Sequence, residues 1–435
     1  MSDYLFMLES HLNAEQLRFT SELQAACAQS NMNLFLTGGA MRDMLGGFPV
    51  RDLDFTIEAN PLKLAKDLAQ KTGAMIWSTD DVRKSVEMVL PAGSTVQLAM
   101  ARQEKYSKPG GKAQITPATI HEDLRCRDFT VNAIALSLGK ASRGLLIDPT
   151  NGLADLERRE LRAIHNHALL DDPVRLWRLI RLKVRLGFTV EERTQNQYRM
   201  AREAGLEKLV PPRALFEQFR QIANEMNPTE VLRALEEEGM LALVSPALSG
   251  AKLNLQGFSK LLKVRQLIPF GIDLKVNNLI LFLHLLSEKL TPKERAGLLK
   301  AIGAHRSEIQ QLNQFPQRAK ALEKVLKSAK LQKASQIYQA LQQEGGEVAL
   351  YLFITTQQRL VQDRIRNYLT KYLLAASEIT DRDIEAEGLK PGTPKFRARK
   401  IERVYERLDS RPRKQNPAPL AAPPAALAAP SRRII

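Results

Sequence analysis

Apolar and polar positions along the chain change their spacing near residue 165. Before that point, residues 34–36 and 53–57 predict short strands, and Pro61 predicts the start of a helix that extends to about residue 70. Residues 85–100 alternate on either side of a Pro-Ala-Gly turn, which predicts a β-hairpin. Strands and helices therefore share one small α/β or α+β unit.

After residue 165 apolar residues recur at helical spacing almost without interruption to about residue 407. Val231, Leu232 and Leu235, and farther on the pair Leu322 and Leu326, mark buried helix faces. The predicted helices include residues 174–186, 214–225, 228–243, 276–286 and 293–302. This change of pattern predicts a small α/β or α+β head followed by a remainder that is all α-helical.

Composition and charge narrow the class of protein. The 435 residues contain 64 Lys and Arg against 48 Asp and Glu, and the net charge of +16 makes a polyanion such as nucleic acid the first expected partner. The 2 cysteines exclude a disulfide framework and a four-cysteine zinc site, and they indicate a reducing compartment, which we expect to be cytoplasmic. No apolar run approaches the roughly 18 residues of a membrane span. From residue 411 a Pro- and Ala-rich tail predicts disorder.

The richest chemistry lies in the first two strand regions. Gly38 and Gly39 follow the first strand and precede a helix, so main-chain N–H groups can approach a phosphate there, with Arg42 one turn farther on. Asp52 and Asp54 are two residues apart on the next strand, so both carboxylates project from one face. Paired carboxylates suit Mg²⁺, and a phosphate cradle beside them is what metal-assisted nucleotidyl transfer requires.

This stretch resembles the signature of class II tRNA nucleotidyltransferases (CCA-adding enzymes) and bacterial poly(A) polymerases. Four further segments agree in order: they resemble the ribose-binding motif, the segment leaving the catalytic head, the base-selecting helix, and the helical neck and body (residues 123–133, 148–156, 171–178 and 210–246). The resemblance covers roughly residues 34–250. It implies a polymerase-beta-like nucleotidyltransferase head with a mixed sheet, followed by an all-α neck, body and tail.

Further site residues follow from these motifs. Arg127, Asp128 and Asn132 offer donors and acceptors suited to a ribose 2′-hydroxyl and a triphosphate. The base-selecting helix contributes nucleotide-binding residues as well, namely Asp172, Arg175 and Arg178.

Asp172 and Arg175 match the edges of particular bases. A carboxylate beside a guanidinium complements the amino donor and ring-nitrogen acceptor of cytosine and adenine and opposes the edges of uracil and guanine. The resemblance implies this same selection of CTP and ATP. A capping salt bridge is the alternative interpretation of the pair.

Three positions depart from the family pattern. Cys126 stands where the family has the first of two arginines, Asp171 where many relatives have Glu, and Gln97 where related sequences place a carboxylate. A metal would therefore rest on the two aspartates alone, with phosphates and water. The polar segment 101–120 resembles the flexible loop that helps CCA-adding relatives change from CTP to ATP, which favours full C-C-A addition; a plain surface connection is the alternative.

Two basic segments predict contacts with an RNA backbone. In residues 316–335, Lys320, Lys324 and Lys327 share a helix face, and residues 395–414 form a second basic cluster. Phosphate contacts by such faces give affinity that depends on salt and not on sequence. A solvated helix face is the alternative for each of them.

These observations give one hypothesis for the function. The chain would add CMP and AMP to the 3′ end of tRNA without a template, from CTP and ATP with Mg²⁺, and release pyrophosphate. The expected partners are the 3′ end and acceptor region of tRNA, with no membrane, and the oligomeric state is not indicated. The alternatives are a poly(A) polymerase, an enzyme that adds only C-C or only A, and a non-catalytic RNA-binding relative.

The predicted domains follow the same division. They are a nucleotidyltransferase head (1–150), a helical neck and body with the base-selecting helix (151–250), a helical, RNA-binding body and tail (251–410) and the disordered Pro/Ala-rich tail (411–435).

Overall fold

The structure, a computed structural model, describes residues 3–272 and 274–410. Its strands are β1 (Leu34–Thr37), β2 (Leu53–Ile57), β3 (Met75–Asp80), β4 (Ser85–Val89), β5 (Thr95–Met100), β6 (Arg102–Lys105), β7 (Gln114–Pro117), β8 (Ala135–Ser137), β9 (Leu146–Ile147), β10 (Glu160–Leu161) and β11 (Thr189–Val190). Seven of these described strands form one sheet in the order β3-β4-β5-β2-β1-β8-β9. Because β2 and β5 are parallel and the other neighbours antiparallel, the sheet is mixed, as predicted.

Helices precede, flank and follow this sheet. In the N-terminal part they are α1 (Asp3–His11), α2 (Ala14–Gln29), α3 (Gly38–Leu45), α4 (Leu62–Thr72), α5 (Ile120–Leu124), α6 (Gly152–Arg158), α7 (Ala168–Asp171), α8 (Val174–Leu186), α9 (Glu192–Glu203), α10 (Pro212–Ala223), α11 (Pro228–Glu237) and α12 (Met240–Val244). They continue with α13 (Leu255–Arg265), α14 (Asn278–Ser287), α15 (Pro292–Ala301), α16 (Arg306–Lys327), α17 (Ala334–Glu344), α18 (Gly346–Thr355), α19 (Arg359–Asn367), α20 (Leu373–Ser377), α21 (Asp381–Glu385) and α22 (Pro394–Asp409). Short 3₁₀ turns lie at Thr130–Asn132, Leu206–Leu209 and Gly250–Lys252, and a π-helical turn at Tyr368–Tyr372.

The head follows its hydrophobic pattern closely. All four residues of β1 are buried, as expected for a strand between two others. The hairpin predicted over residues 85–100 is confirmed as β4 and β5; alternate residues are buried along β4 and in the first half of β5. This alternation fits strands that bury one face of the sheet.

Glycines decide where helices end. α8 spans the predicted residues 174–186 and ends at Gly187, which has a positive φ of 64°. The single helix predicted over 228–243 is wrong, because Gly239 (φ 68°) separates α11 from α12. Left-handed backbone at little steric cost is a property of glycine, and it terminates a helix whatever the apolar spacing beyond it.

Two regions contain strand structure that the spacing does not predict. Residues 102–105 and 114–117, interpreted as a flexible loop, pair as the antiparallel ribbon β6–β7. In the neck, β11 pairs with β10 in parallel, so a two-residue strand interrupts the otherwise helical remainder. Neither pair gives a periodic apolar signal in the sequence. The strands β6 and β7 are short and largely polar, and β10 and β11 have two residues each and lie far apart in the sequence.

The described chain divides into two units. The first comprises the residues up to 259 together with 278–312, and the second comprises 260–277 and the residues from 313 onward. The predicted domain boundaries at 150, 250 and 410 stay predictions, and the predicted tail at 411–435 lies outside the described residues. No helix in the described part of the chain combines the length and apolar character that crossing a membrane requires.

Candidate functional site

The turn between β1 and α3 lies directly against Asp54. Gly38 has a positive φ of 66°, and a Cβ atom there would be 3.2 Å from Asp54 Oδ2. The main-chain N–H of Gly39 donates to the same oxygen at 3.2 Å. Both the backbone conformation and the close approach therefore require glycine at position 38.

Asp52 and Asp54 form a carboxylate pair whose negative charges are poorly compensated. Removal of water by the surrounding protein, and then repulsion by Asp54, raise the pKa of Asp52. Burial raises the pKa of Asp54 as well, against the opposing effects of Arg127 and the Gly39 N–H. The described residues contain no group of three or more His, Cys, Asp or Glu that could hold a metal. Two hard oxygen donors that repel each other nevertheless fit a divalent cation whose remaining ligands come from elsewhere.

Gln97 occupies the position beside Asp54 on the neighbouring strand. Asp54 pairs with Gln97 between β2 and β5, and Gln97 pairs with Glu87 between β5 and β4, so the three project from the same face. Glu87 binds Arg220 of α10 at 2.5 and 3.0 Å. The neutral amide thus separates Asp54 from the next carboxylate, which already has a cationic partner.

The predicted ribose motif is anchored in the head. Arg127 donates to Asp123 at 2.6 Å and to Thr56 at 3.0 Å, and its Nη1 would lie 3.7 Å from a Cβ at Gly38. Asn132 donates to Asp128 at 3.0 Å. Arg127 therefore faces the glycine turn and Asp54.

Arg42 lies deeper than the sequence suggests. It is 4% exposed, and its guanidinium donates to Asp43 at 2.9 and 2.7 Å and to Asn132 at 2.6 Å. The bidentate fork expected to hold a phosphate thus binds Asp43 in this structure. Its positive charge remains beneath the glycine turn, where a side chain at Gly39 would lie 3.5 Å from Arg42 Nη2.

Asp172 and Arg175 lie together at the start of α8. Their closest atoms, Asp172 Oδ2 and Arg175 Nε, are 3.7 Å apart. Arg175 is buried and donates to the main-chain carbonyl of Cys126 at 2.9 Å, while Arg178 pairs with Asp128 at 2.9 Å. The predicted base-selecting and ribose residues are therefore adjacent, and Cys126 contributes through its carbonyl, which any residue could supply.

The β6–β7 ribbon reaches this same region. The N–H of Gly110, between the two strands, donates to the carbonyl of Asp171 at 3.2 Å. Tyr106 donates to Glu104 at 2.9 Å, and burial followed by the charge of Asp172 raises the pKa of Tyr106. Although burial alone would raise it, the charge of Arg102, its hydrogen bond and the charge of Arg83 lower the pKa of Glu104 to about 2.

Sequence reasoning missed a set of buried ions that surrounds these residues. Arg185 binds Asp43 at 2.5 Å, and Arg181 binds Glu225 at 2.7 Å. Glu225 also lies 3.4 Å from Arg51, the residue before Asp52. A signal for part of the set is present in the sequence, because arginines recur along α8 at positions 175, 178, 181 and 185.

A mixed sheet whose glycine turn faces paired aspartates, followed by helices, is the architecture of a nucleotidyltransferase head. Residues 34–162 match the family described as the Poly A polymerase head domain. The resemblance drawn from the sequence motifs is therefore confirmed. Nucleotidyltransferases of this family generally use divalent metal ions.

The similar proteins are enzymes that differ in the nucleotides they add. An A-adding tRNA nucleotidyltransferase of Geobacter sulfurreducens is 26% identical over 402 residues, 91% of this chain and 45% of that protein. One of Halalkalibacterium halodurans is 32% identical over 58% of this chain and 61% of that protein. A CC-adding tRNA nucleotidyltransferase of Deinococcus radiodurans is 39% identical over 37% of this chain and 42% of that protein. The chain spans about half the length of these curated relatives.

Solved structures confirm the fold class. A tRNA nucleotidyltransferase complexed with a primer tRNA and an incoming ATP analog has a TM-score of 0.52 and 25% identity, over 82% of this chain and all of that chain. The apo form II of a CCA-adding enzyme has a TM-score of 0.53 and 23% identity, over 95% of this chain and 96% of that one. The predicted mixed-sheet head with a mostly helical remainder is thus correct.

Proposed function

We propose that this chain is a tRNA nucleotidyltransferase that adds CMP and AMP to the 3′ end of tRNA from CTP and ATP. The observation that carries the proposal is the convergence of three features within the head. The Gly38–Gly39 turn, the Asp54 carboxylate and the Arg127 guanidinium approach one another within 3.2–3.7 Å of a Cβ at Gly38. A phosphate cradle, a carboxylate pair and a cation at one point are the requirements of nucleotidyl transfer.

In this proposal the N–H groups of the glycine turn bind the triphosphate, and Arg42 adds its charge from beneath. Arg127, Asp128 and Asn132 hold the ribose. Asp52 and Asp54 would hold Mg²⁺ together with phosphate oxygens and water, since no third protein carboxylate is available among the described residues. When bound there, Mg²⁺ supplies the charge that activates the RNA 3′-hydroxyl and offsets that of the departing pyrophosphate.

The base is selected in this scheme by Asp172 and Arg175, with Arg178 beside them. Burial raises the pKa of Asp172 against the opposing charges of Arg175 and then Arg178. In its ionised form this carboxylate would accept a hydrogen bond from a base amino group. Arg175 is held by the Cys126 carbonyl, which leaves its position independent of the nucleotide. A base whose edge presents a carbonyl to Asp172 leaves polar groups unpaired and is disfavoured.

A second candidate is the addition of A alone. Its support is that relatives from Geobacter sulfurreducens, Halalkalibacterium halodurans and Aquifex aeolicus are each named A-adding tRNA nucleotidyltransferase. Asp172 and Arg175 suit ATP and CTP equally and do not separate the candidates. Addition of both CMP and AMP is supported by segment 101–120, which resembles the loop that helps CCA-adding relatives change from CTP to ATP. This segment contains the β6–β7 ribbon and contacts Asp171 through Gly110.

Extension of tRNA transcripts tests the proposal. Three RNAs are used: a transcript that ends before the CCA sequence, a transcript that ends after C-C, and an unstructured RNA of equal length. Each is incubated with Mg²⁺ and each NTP alone, then with CTP and ATP together. We expect three added nucleotides on the first transcript and one on the second. A single A only on the second supports A addition, an open-ended A tail supports a poly(A) polymerase, and no incorporation with intact RNA binding supports a non-catalytic relative.

A further inference from the structure

Four arginines form a row along α8: Arg175, Arg178, Arg181 and Arg185. Spacings of three and four residues bring them to one side of the helix, over a length of about 15 Å. Each has a carboxylate partner: that of Arg175 lies three residues before it at the start of α8, and the other three come from other segments. The partners, in the order of the arginines, are Asp172, Asp128, Glu225 and Asp43.

Two of these pairs belong to a closed ring of side chains. Arg185 binds Asp43, Asp43 accepts from Arg42, and Arg42 donates to Asn132 at 2.6 Å. Asn132 then donates to Asp128 at 3.0 Å, and Asp128 pairs with Arg178 at 2.9 Å, which returns the ring to α8. No link in the ring exceeds 3.0 Å.

The ring joins three parts of the site with different tasks. Arg42 and Asp43 lie on α3, immediately after the glycine turn; Asp128 and Asn132 belong to the ribose motif; and α8 carries Arg175 at its first turn. The side chains of Asp43 and Asp128 are 5% and 3% exposed, so water competes little for these bonds. Asp128 Oδ2 meets Arg178 as an ion pair only and has no hydrogen-bond partner. Because these contacts join side chains of α3 to side chains of α8, they restrict movement of the two helices relative to each other.

We propose that Arg185 and Asp43 are positioning residues that set the distance between the triphosphate turn and the base-selecting pair. The proposal rests on the proposed function and extends it to residues that do not touch the nucleotide. Only a nucleotide whose base pairs correctly at Asp172 and Arg175 then has its α-phosphate at the reacting position. A displacement of about 1 Å can cost about 100-fold in rate, and that cost would fall on the correctly paired nucleotide.

The readout is the ratio of kcat/KM for CTP to kcat/KM for UTP on a transcript that lacks CCA. This ratio does not depend on the fraction of enzyme that is folded, so simple destabilisation does not change it. We expect Arg185→Gln to lower the ratio by about tenfold or more. Asp43→Asn should lower it similarly, and the double variant should lower it no further, because both remove the same contact.

Two matched variants complete the test. Arg185→Lys retains a cation that can reach Asp43 and should restore most of the ratio. Arg233→Gln removes a different arginine pair, the exposed one with Glu230 on α11, and should leave the ratio within about twofold of the parent. A ratio unchanged in Arg185→Gln, with a lower unfolding midpoint, would show a purely structural role and overturn the inference. If the parent chain adds no nucleotide at all, the proposed function itself fails.

Discussion

Two helices of this chain carry rows of arginines spaced three or four residues apart but use them differently. On α8 the partner carboxylates Asp128, Glu225 and Asp43 are only 3–5% exposed and come from other segments. On α22 the partners of Arg399, Arg403 and Arg407 are 31–62% exposed and lie on α22 itself or on nearby turns: Glu387, Glu402, Glu406 and Glu378. Rows of arginines therefore pair with buried carboxylates in one place and with exposed carboxylates in the other.

The comparison also bears on RNA binding. The acids around α22 neutralise much of the basic cluster predicted at 395–414, of which residues 411–414 lie outside the described chain. On α16, Lys320 and Lys324 are exposed and form no ion pair among the described residues, whereas Lys327 lies 3.5 Å from Glu323. Phosphate contact remains a prediction for both segments, and the free lysines make α16 the better candidate.

The largest expected effect is on the rate of nucleotide addition, at the proposed metal pair in the same region as α8. Asp54→Asn removes a carboxylate of the proposed metal pair and should lower the rate of nucleotide addition by about 10⁴-fold. RNA binding, measured by filter retention, should change little. Asp81→Asn, an exposed aspartate of the β3–β4 turn, is the control and should keep full activity. Addition by Asp54→Asn near the parental rate would contradict the assignment of the site.

The next effect tests the buried side of the comparison. Glu225→Gln leaves Arg51, Arg181 and Arg185 without their shared carboxylate and should lower the free energy of unfolding by about 3–5 kcal/mol. Urea unfolding measures the change. The double variant Glu225→Gln with Arg181→Met should recover part of the lost free energy of unfolding, because the buried, unpaired charge of Arg181 is then absent. A loss below about 1 kcal/mol would show that the ion pairs of α8 contribute no more to stability than the exposed pairs of α22.

An intermediate effect is expected on the β6–β7 ribbon, where Glu104 is 12% exposed between Arg102 and Arg83. Its pKa of about 2 lies below the value of 4.5 for an unperturbed Glu, so its charge stabilises the fold above about pH 4.5. Glu104→Gln should therefore be less stable at pH 7 by about 2–3 kcal/mol. The difference should shrink as the pH falls from 4.5 towards 2. A difference that does not depend on pH in this window would refute the charge-based explanation.

The smallest effect is expected on α22. Arg403→Gln removes exposed pairs with Glu387 and Glu406 and should change stability by less than about 1 kcal/mol, with a difference that salt reduces further. Arg397, exposed on the same helix and without an ion pair among the described residues, provides the matched control as Arg397→Gln. A loss comparable to that of Glu225→Gln would remove the distinction between the two helices.

Much of the head could be predicted because its signals are local. The run at 34–36, the glycines after it and the alternation at 85–100 each specify a strand or turn within a few residues. The ribbon β6–β7 escaped because its residues are polar, and α11 and α12 were merged because helical apolar spacing continues across Gly239. Local patterns thus locate most elements, but they miss strands that depend on pairing with another strand and helix ends that depend on a single residue.

The site shows the same division. Sequence by itself determined that Gly38, Asp52, Asp54, Asp172 and Arg175 are present at spacings suited to nucleotidyl transfer, because each motif lies within one strand, turn or helix. Only the tertiary structure decided that Arg42 is buried against Asp43, that Glu225 binds three arginines and that acids outside α22 pair with its basic residues. Charge on a helix can be counted from the sequence. Its effect depends on which residues oppose it and on how much water remains between them, and folding alone determines both.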